Sequence, residues 1–270
     1  MSTISEQNEN LECTHTNYFI LALLVLLLGF VVIVGCFTGN TALVQVSPKY
    51  GPMQFNAAFA FVLIALGLIC TMSHRSVMGA MLGFVVIFIA VLTSIQDVYD
   101  INLGIDQLFI KTDISTKSSA PGRMGPNTTS CFILTGLILV IHYYYKRYSD
   151  RRVILFLFFM AIAVIFFSWT ALVGYFADLR NLYGWGAYTH MGVHTAIGFI
   201  VWGGCFTVWL KTRSADALYK KSLFLPVASF IVCIFIFGVF SQLLADREYK
   251  ELQSVLKINE KYIFELFMPY

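Results

Sequence analysis

The chain has 270 residues, of which 58% are hydrophobic and only 12% charged, with a formal net charge of +3. A soluble domain carries about 25% charged residues. Here long apolar runs take their place, which excludes a soluble enzyme, a nucleic-acid binder and a disulfide-stapled secreted domain.

Residues 1–17 carry Glu6, Glu9 and Glu12 but no Lys or Arg. A cleavable signal peptide needs a basic start, so this segment is expected to be a cytoplasmic tail. Seven apolar runs of roughly 20 residues follow, each long enough for a helix to cross a hydrocarbon core about 30 Å thick. They cover 18–37, 53–72, 77–95, 126–145, 153–176, 189–210 and 222–244. Tyr143, Tyr144, Tyr145 and Tyr148, at the end of the fourth run, suit an interfacial aromatic belt. Residues 245–270 place Leu252, Leu256, Ile263 and Leu266 at helical spacing among charges. They are expected to form an extracytoplasmic amphipathic tail helix.

Orientation follows from Lys and Arg in the connections. The connections after runs two, four and six hold nine basic residues, against five in the longer connections after runs one, three and five. The even connections are therefore expected inside, with the N-terminus inside and the C-terminus outside. The six cysteines do not read as a framework. Cys36 and Cys131 both fall near the outer face and could be bridged, but small apolar packing residues are the simpler reading.

The chain also repeats itself. Met53-Gln54-Phe55-Asn56-Ala57, Met124-Gly125-Pro126-Asn127-Thr128 and Met191-Gly192-Val193-His194-Thr195 align at offsets of 71 and 67 residues. The shared pattern is Met-x-x-Asn/His-Ala/Thr-x-x-x-Phe-x-x-x-Ala/Gly, covering 53–65, 124–136 and 191–203. Each copy opens an even-numbered run at the outer surface. The expected fold is an all-α integral membrane protein. Its seven transmembrane helices, over 18–244, form three repeated two-helix hairpins plus a seventh helix. Positions four apart share a helix face, so the Ala/Thr, Phe and Ala/Gly positions make a stripe. Small residues on such a stripe let helix backbones approach closely in lipid. The Asn/His position is different, because polar side chains inside a bilayer are expensive and need partners.

Three phrases carry a family resemblance: Pro52-Met53-Gln54-Phe55-Asn56; Leu103-Gly104-Ile105-Asp106-Gln107-Leu108 followed by Pro121-Gly122-Arg123-Met124-Gly125-Pro126-Asn127-Thr128; and Tyr183-Gly184 followed by Met191-Gly192-Val193-His194-Thr195. From about Tyr18 to Leu252 the chain resembles the N-terminal multi-pass membrane sensor region of bacterial sensor histidine kinases and diguanylate cyclases. It departs from that pattern at Ala57-Ala58, Thr128-Thr129 and His190. Up to Tyr270 it contains no kinase His-box, nucleotide-binding segment or cyclase motif. The resemblance implies a signal-input module of the bacterial inner (cytoplasmic) membrane without its own output domain. The partners it implies are the lipid bilayer, a histidine kinase or diguanylate cyclase, a second copy of the chain as a homodimer, and an unidentified small ligand; no nucleic acid is expected.

If the hairpins pack about a common axis, the motif residues meet at one outer mouth. Candidate ligand-binding residues there are Met53, Asn56, Asp106, Arg123, Met124 and Asn127, with Thr128, His190, Met191, His194 and Thr195. A partly apolar pocket with a few placed polar groups is what a small-ligand site looks like. Hydrogen bonding that pins loops to helices would use the same residues, and Asp106 is placed to pair with Arg123 across the third connection. His190 and His194 are spaced for one metal, and the motif Met residues would suit Cu(I). A metal site needs three or four ligands and only these two His are well spaced, so neither a metal nor another cofactor is expected. No nucleophile–base pair, carboxylate dyad or phosphate loop stands out, and an enzyme is not expected. The seventh run has no Lys for a retinal Schiff base. The absence of charges well inside the runs weighs against an ion-coupled transporter. A small-solute permease or channel-like protein, or a structural partner of a separate signalling protein, remains as the alternative.

Overall fold

A computed structural model describes residues 2–47, 50–99, 101–107, 122–145, 151–176 and 190–213. The chain divides into two compact units, Met1–Val227 and Ala228–Tyr270. The second unit, the expected seventh helix (222–244) and the tail lie outside the described residues.

The described residues are all-helical apart from their connections. The helices are α1 (Ser2–Thr38), the short α2 (Thr41–Val44), α3 (Phe55–Met72), α4 (Ser76–Tyr99), α5 (Pro126–Tyr144), α6 (Arg151–Phe176) and α7 (Val193–Arg213), with a single 3-10 turn at Ile105–Gln107. Six of these contain stretches long and apolar enough to cross a membrane, beginning with Asn17–Thr38 inside α1. Residues 2–17, expected to be a cytoplasmic tail, are helical and continuous with that span; no Gly or Pro interrupts them. Cys36, Cys70, Cys131 and Cys205 are free thiols, so Cys36 and Cys131 are not bridged.

The helices fall into two kinds. In α1, α4 and α6 only 33%, 28% and 33% of the apolar window is buried, against 67%, 56% and 56% in α3, α5 and α7. The first three bury one stripe each. On α4 it runs through Ser76, Gly79, Gly83, Val86, Ala90, Thr93 and Gln96, at spacings of three and four. A helix with one buried stripe lies at the periphery, and one buried all round lies at the centre. Accordingly α1 packs on α3, α4 on α5 and α6 on α7, while α3, α5 and α7 also touch one another. The ring closes through further contacts of α3 with α4, α5 with α6 and α7 with α1.

Glycine permits the closest of these contacts. A Cβ on Gly136 would sit 2.6 Å from the Gly83 carbonyl oxygen, and one on Gly83 would sit 2.8 Å from that of Gly136. Both distances are below van der Waals contact, so α4 and α5 cross backbone to backbone there. The α3–α4 turn uses a left-handed residue, His74 at φ 62°. The Arg75 N–H reaches the Cys70 carbonyl at 2.8 Å and the His74 N–H reaches that of Thr71 at 3.3 Å. This Schellman arrangement satisfies carbonyls that the helix end would otherwise leave open.

Candidate functional site

The three motifs open α3, α5 and α7 in one register. Each helix starts two residues after the motif Met, at Phe55, Pro126 and Val193. In each, an early N–H (Ala58, Thr129 or Ala196) bonds the carbonyl of the residue after the Met (Gln54, Gly125 or Gly192) at 3.0 Å. Met53, Met124 and Met191 are all buried.

Two turns into each helix the motif Phe residues meet. Phe61 and Phe132 have ring centroids 5.1 Å apart, Phe61 and Phe199 4.6 Å, and Phe132 and Phe199 4.7 Å. All three are fully buried and form a closed triangle where α3, α5 and α7 converge. Tilted and edge-on pairs of this kind add about 0.5–1.5 kcal/mol each beyond their area burial. Further along, Ile64, Thr135 and Trp202 occupy equivalent motif positions and are fully buried too. There the Trp202 Nε1–H donates to the Ile64 carbonyl at 3.1 Å. One turn back toward the helix starts lie Ala57, Thr128 and Thr195, also buried.

The polar motif positions turn to neighbouring connections. Asn56 Nδ2 donates to the Ile105 carbonyl at 3.1 Å. That carbonyl belongs to the connection between α4 and α5. The His194 side chain lies beside the backbone of Val44, at the end of α2 before the connection to α3. Asn127 is buried, and among the described residues its Oδ1 has no hydrogen-bond partner. His190 is half-buried beside α7.

Asp106 and Arg123 do pair, at 3.0 Å from Arg123 Nε to Asp106 Oδ2. Two residues that the sequence reading did not single out complete the cluster. Arg123 NH1 lies 3.3 Å from Asp97 Oδ1. The Gln96 side-chain amide donates to both Asp106 oxygens at 3.2 Å, while its oxygen accepts from the Leu103 N–H at 2.8 Å. Arg123 also donates to the Ile101 carbonyl at 3.0 Å and to that of Gln96 at 3.5 Å. Gln96, Asp106 and Arg123 are buried; Asp97 Oδ2 is occluded, with no partner among the described residues. The physical reason for the cluster lies in α4. Its last turn carries an acid, which a helix C-terminus disfavours, and a cation there relieves both the acid and the open carbonyls.

The structure therefore brings Asp106 and Arg123 together, ties Asn56 to an adjacent connection and sets His194 beside Val44. Tyr183 and Gly184, which open the third phrase of the resemblance, lie outside the described residues. Among the described residues no group of three or more His, Cys, Asp or Glu could hold a metal ion. No family model, no curated protein and no solved structure matches the chain.

Proposed function

We propose that this chain is a membrane signal-input module of a bacterial cytoplasmic membrane. In this reading the α1–α3, α4–α5 and α6–α7 pairs are three copies of one hairpin. A seventh helix follows, with the N-terminus inside and the C-terminus outside. A small ligand, or a change in the membrane, acts at the end where α3, α5 and α7 begin. Altered helix packing then reaches a separate histidine kinase or diguanylate cyclase, with the module alone or as a homodimer. The supporting observation is the convergence of equivalent motif positions. Three Phe rings fill the centre, and the polar positions gather at one end against connections and a buried ionic cluster. Packing helices alone did not require polar residues there, since Ala or Leu would avoid the desolvation cost. The unpartnered acceptor on Asn127 supports a ligand at that end, because a buried acceptor without a donor costs about 1–3 kcal/mol. Met53, Met124, Thr128, Met191, Thr195 and His190 would complete its surroundings.

The same Phe layer weighs against the permease reading, since apolar rings fill the place where a conduit would run. The deciding experiment is cross-linking of the tagged full-length chain in its native membranes, alongside solute uptake by reconstituted vesicles. Recovery of a histidine kinase or diguanylate cyclase, without uptake, is the expected result. Saturable uptake without such a partner would replace this reading with the permease one.

A further inference from the structure

At the end where the inner helices begin, hydrogen bonds and backbone contacts link one hairpin to the next. The Arg123–Asp106 pair and Gln96 fix the turn that carries Ile105. The Ile105 carbonyl accepts from Asn56, at the start of α3. Two residues before α3, the Met53 N–H bonds the Val44 carbonyl at 2.9 Å. The His194 side chain, on α7, lies beside the Val44 backbone.

A second contact runs beside this route. A Cβ on Gly192 would sit 3.0 Å from the Gly51 carbonyl oxygen and 3.3 Å from the Met53 nitrogen. The backbone before α3 thus lies directly on the backbone before α7, and a side chain at 192 would force them apart.

We propose that this belt couples the Asp97–Arg123–Asp106 cluster to the start of α7, so that displacing the cluster reorients His194. The physical basis is that the half-buried Asn56–Ile105 hydrogen bond joins the start of α3 to the α4–α5 connection, and the Gly192 backbone rests on that of Gly51 and Met53, so the three helix pairs are tied together at this end. Moving one end without the other would strand a polar group away from water. Intermediacy alone does not establish such coupling, which has to be measured as an energy between sites. The belt does not depend on any ligand, kinase or cyclase. Its failure would leave the proposed function standing, and failure of that function would leave the belt standing.

The test uses the purified full-length chain in detergent micelles with 15N-labelled histidine, the His194 signals being assigned from a His194→Gln variant. Asp106→Asn and Asn56→Ala are each expected to shift the His194 imidazole signals. Thr207→Val, in the last two turns of α7, is expected to leave them in place. In a double-mutant cycle, Asn56→Ala and His194→Gln should depart from additivity by at least about twofold in the unfolding equilibrium. If Asp106→Asn does not fold, Asp106→Glu, which keeps the charge but displaces the carboxylate, gives the same readout. His194 signals that stay unmoved in folded variants at 56 and 106, or an additive cycle, would overturn the coupling.

Discussion

Arg123 carries more of the local architecture than any other single side chain described. One guanidinium serves two carboxylates and two backbone carbonyls from α4 and the connection behind it. Removing it would leave Asp97 and Asp106 buried and uncompensated, which costs about 3–5 kcal/mol when one partner of a buried pair is lost. Arg123→Ala should therefore sharply lower the midpoint of unfolding in detergent. Arg123→Lys should recover little, because a single ammonium cannot reproduce the planar fork that reaches four acceptors. Wild-type stability in Arg123→Lys would show that charge alone suffices. Part of this cluster was legible in the sequence: Asp106 and Arg123 are charges flanking a long connection between apolar runs. Gln96 and Asp97 were not, because the apolar run stops at 95 and nothing local says that the helix continues to Tyr99. Asn56 and His194 read as polar residues in need of partners. What they meet proved to be backbone groups at Ile105 and Val44, which every residue possesses and no sequence pattern marks.

At the scale of elements, apolar run length predicts seven helices; six of them are observed with boundaries within a few residues, and the seventh lies outside the described residues. The four-residue α2 lies below the length at which periodicity can speak. The stripe argument can be tested where it is tightest. At the Gly83–Gly136 crossing, Gly136→Leu would drive a side chain into the Gly83 carbonyl and Ile87. Phe132→Ala would open a cavity in the ring triangle, at a cost of about 3–5 kcal/mol by analogy with soluble cores. Both are expected to lower the yield of folded protein in detergent. Yields equal to wild type would mean that the face is not a close-packed interface. The α3–α4 turn supplies a prediction of opposite sign. A non-glycine residue in the left-handed region costs about 1–2 kcal/mol, so His74→Gly should raise the unfolding temperature. The opposing term is an exposed contact of 3.2 Å between Arg213 and His74. A lower unfolding temperature would show that this contact outweighs the relief of strain.

For the whole molecule, the repeat was legible as spacing, and the division into inner and outer helices only in part. The runs of α1, α4 and α6 are more apolar than those of α3, α5 and α7, as lipid-facing helices would be, and the contacts place the motif helices at the centre. The arrangement also separates charge along the helices. Asp97, Asp106 and Arg123 lie where α3, α5 and α7 begin, whereas Arg75, Lys211 and Arg213 lie where α3 and α7 end. Basic residues concentrate on the cytoplasmic side of a membrane protein, and the bias in short connections sets its orientation. Under the proposed reading the end rich in Lys and Arg faces the cytoplasm, and the ionic cluster with the motif mouths faces out. An alkaline phosphatase reporter, active only outside the cytoplasm, separates the alternatives. Fused after Arg213 it should be inactive, because α7 would have returned the chain to the inner side. Fused after Tyr270 it should be active, because one further crossing at 222–244 would carry the chain out again. The first fusion tests the orientation of the six helices, and the second tests the seventh crossing. Activity at Arg213 would invert the molecule and put the motif mouths inside, where no external ligand could reach them. Inactivity at both positions would keep that orientation but remove the seventh crossing at 222–244.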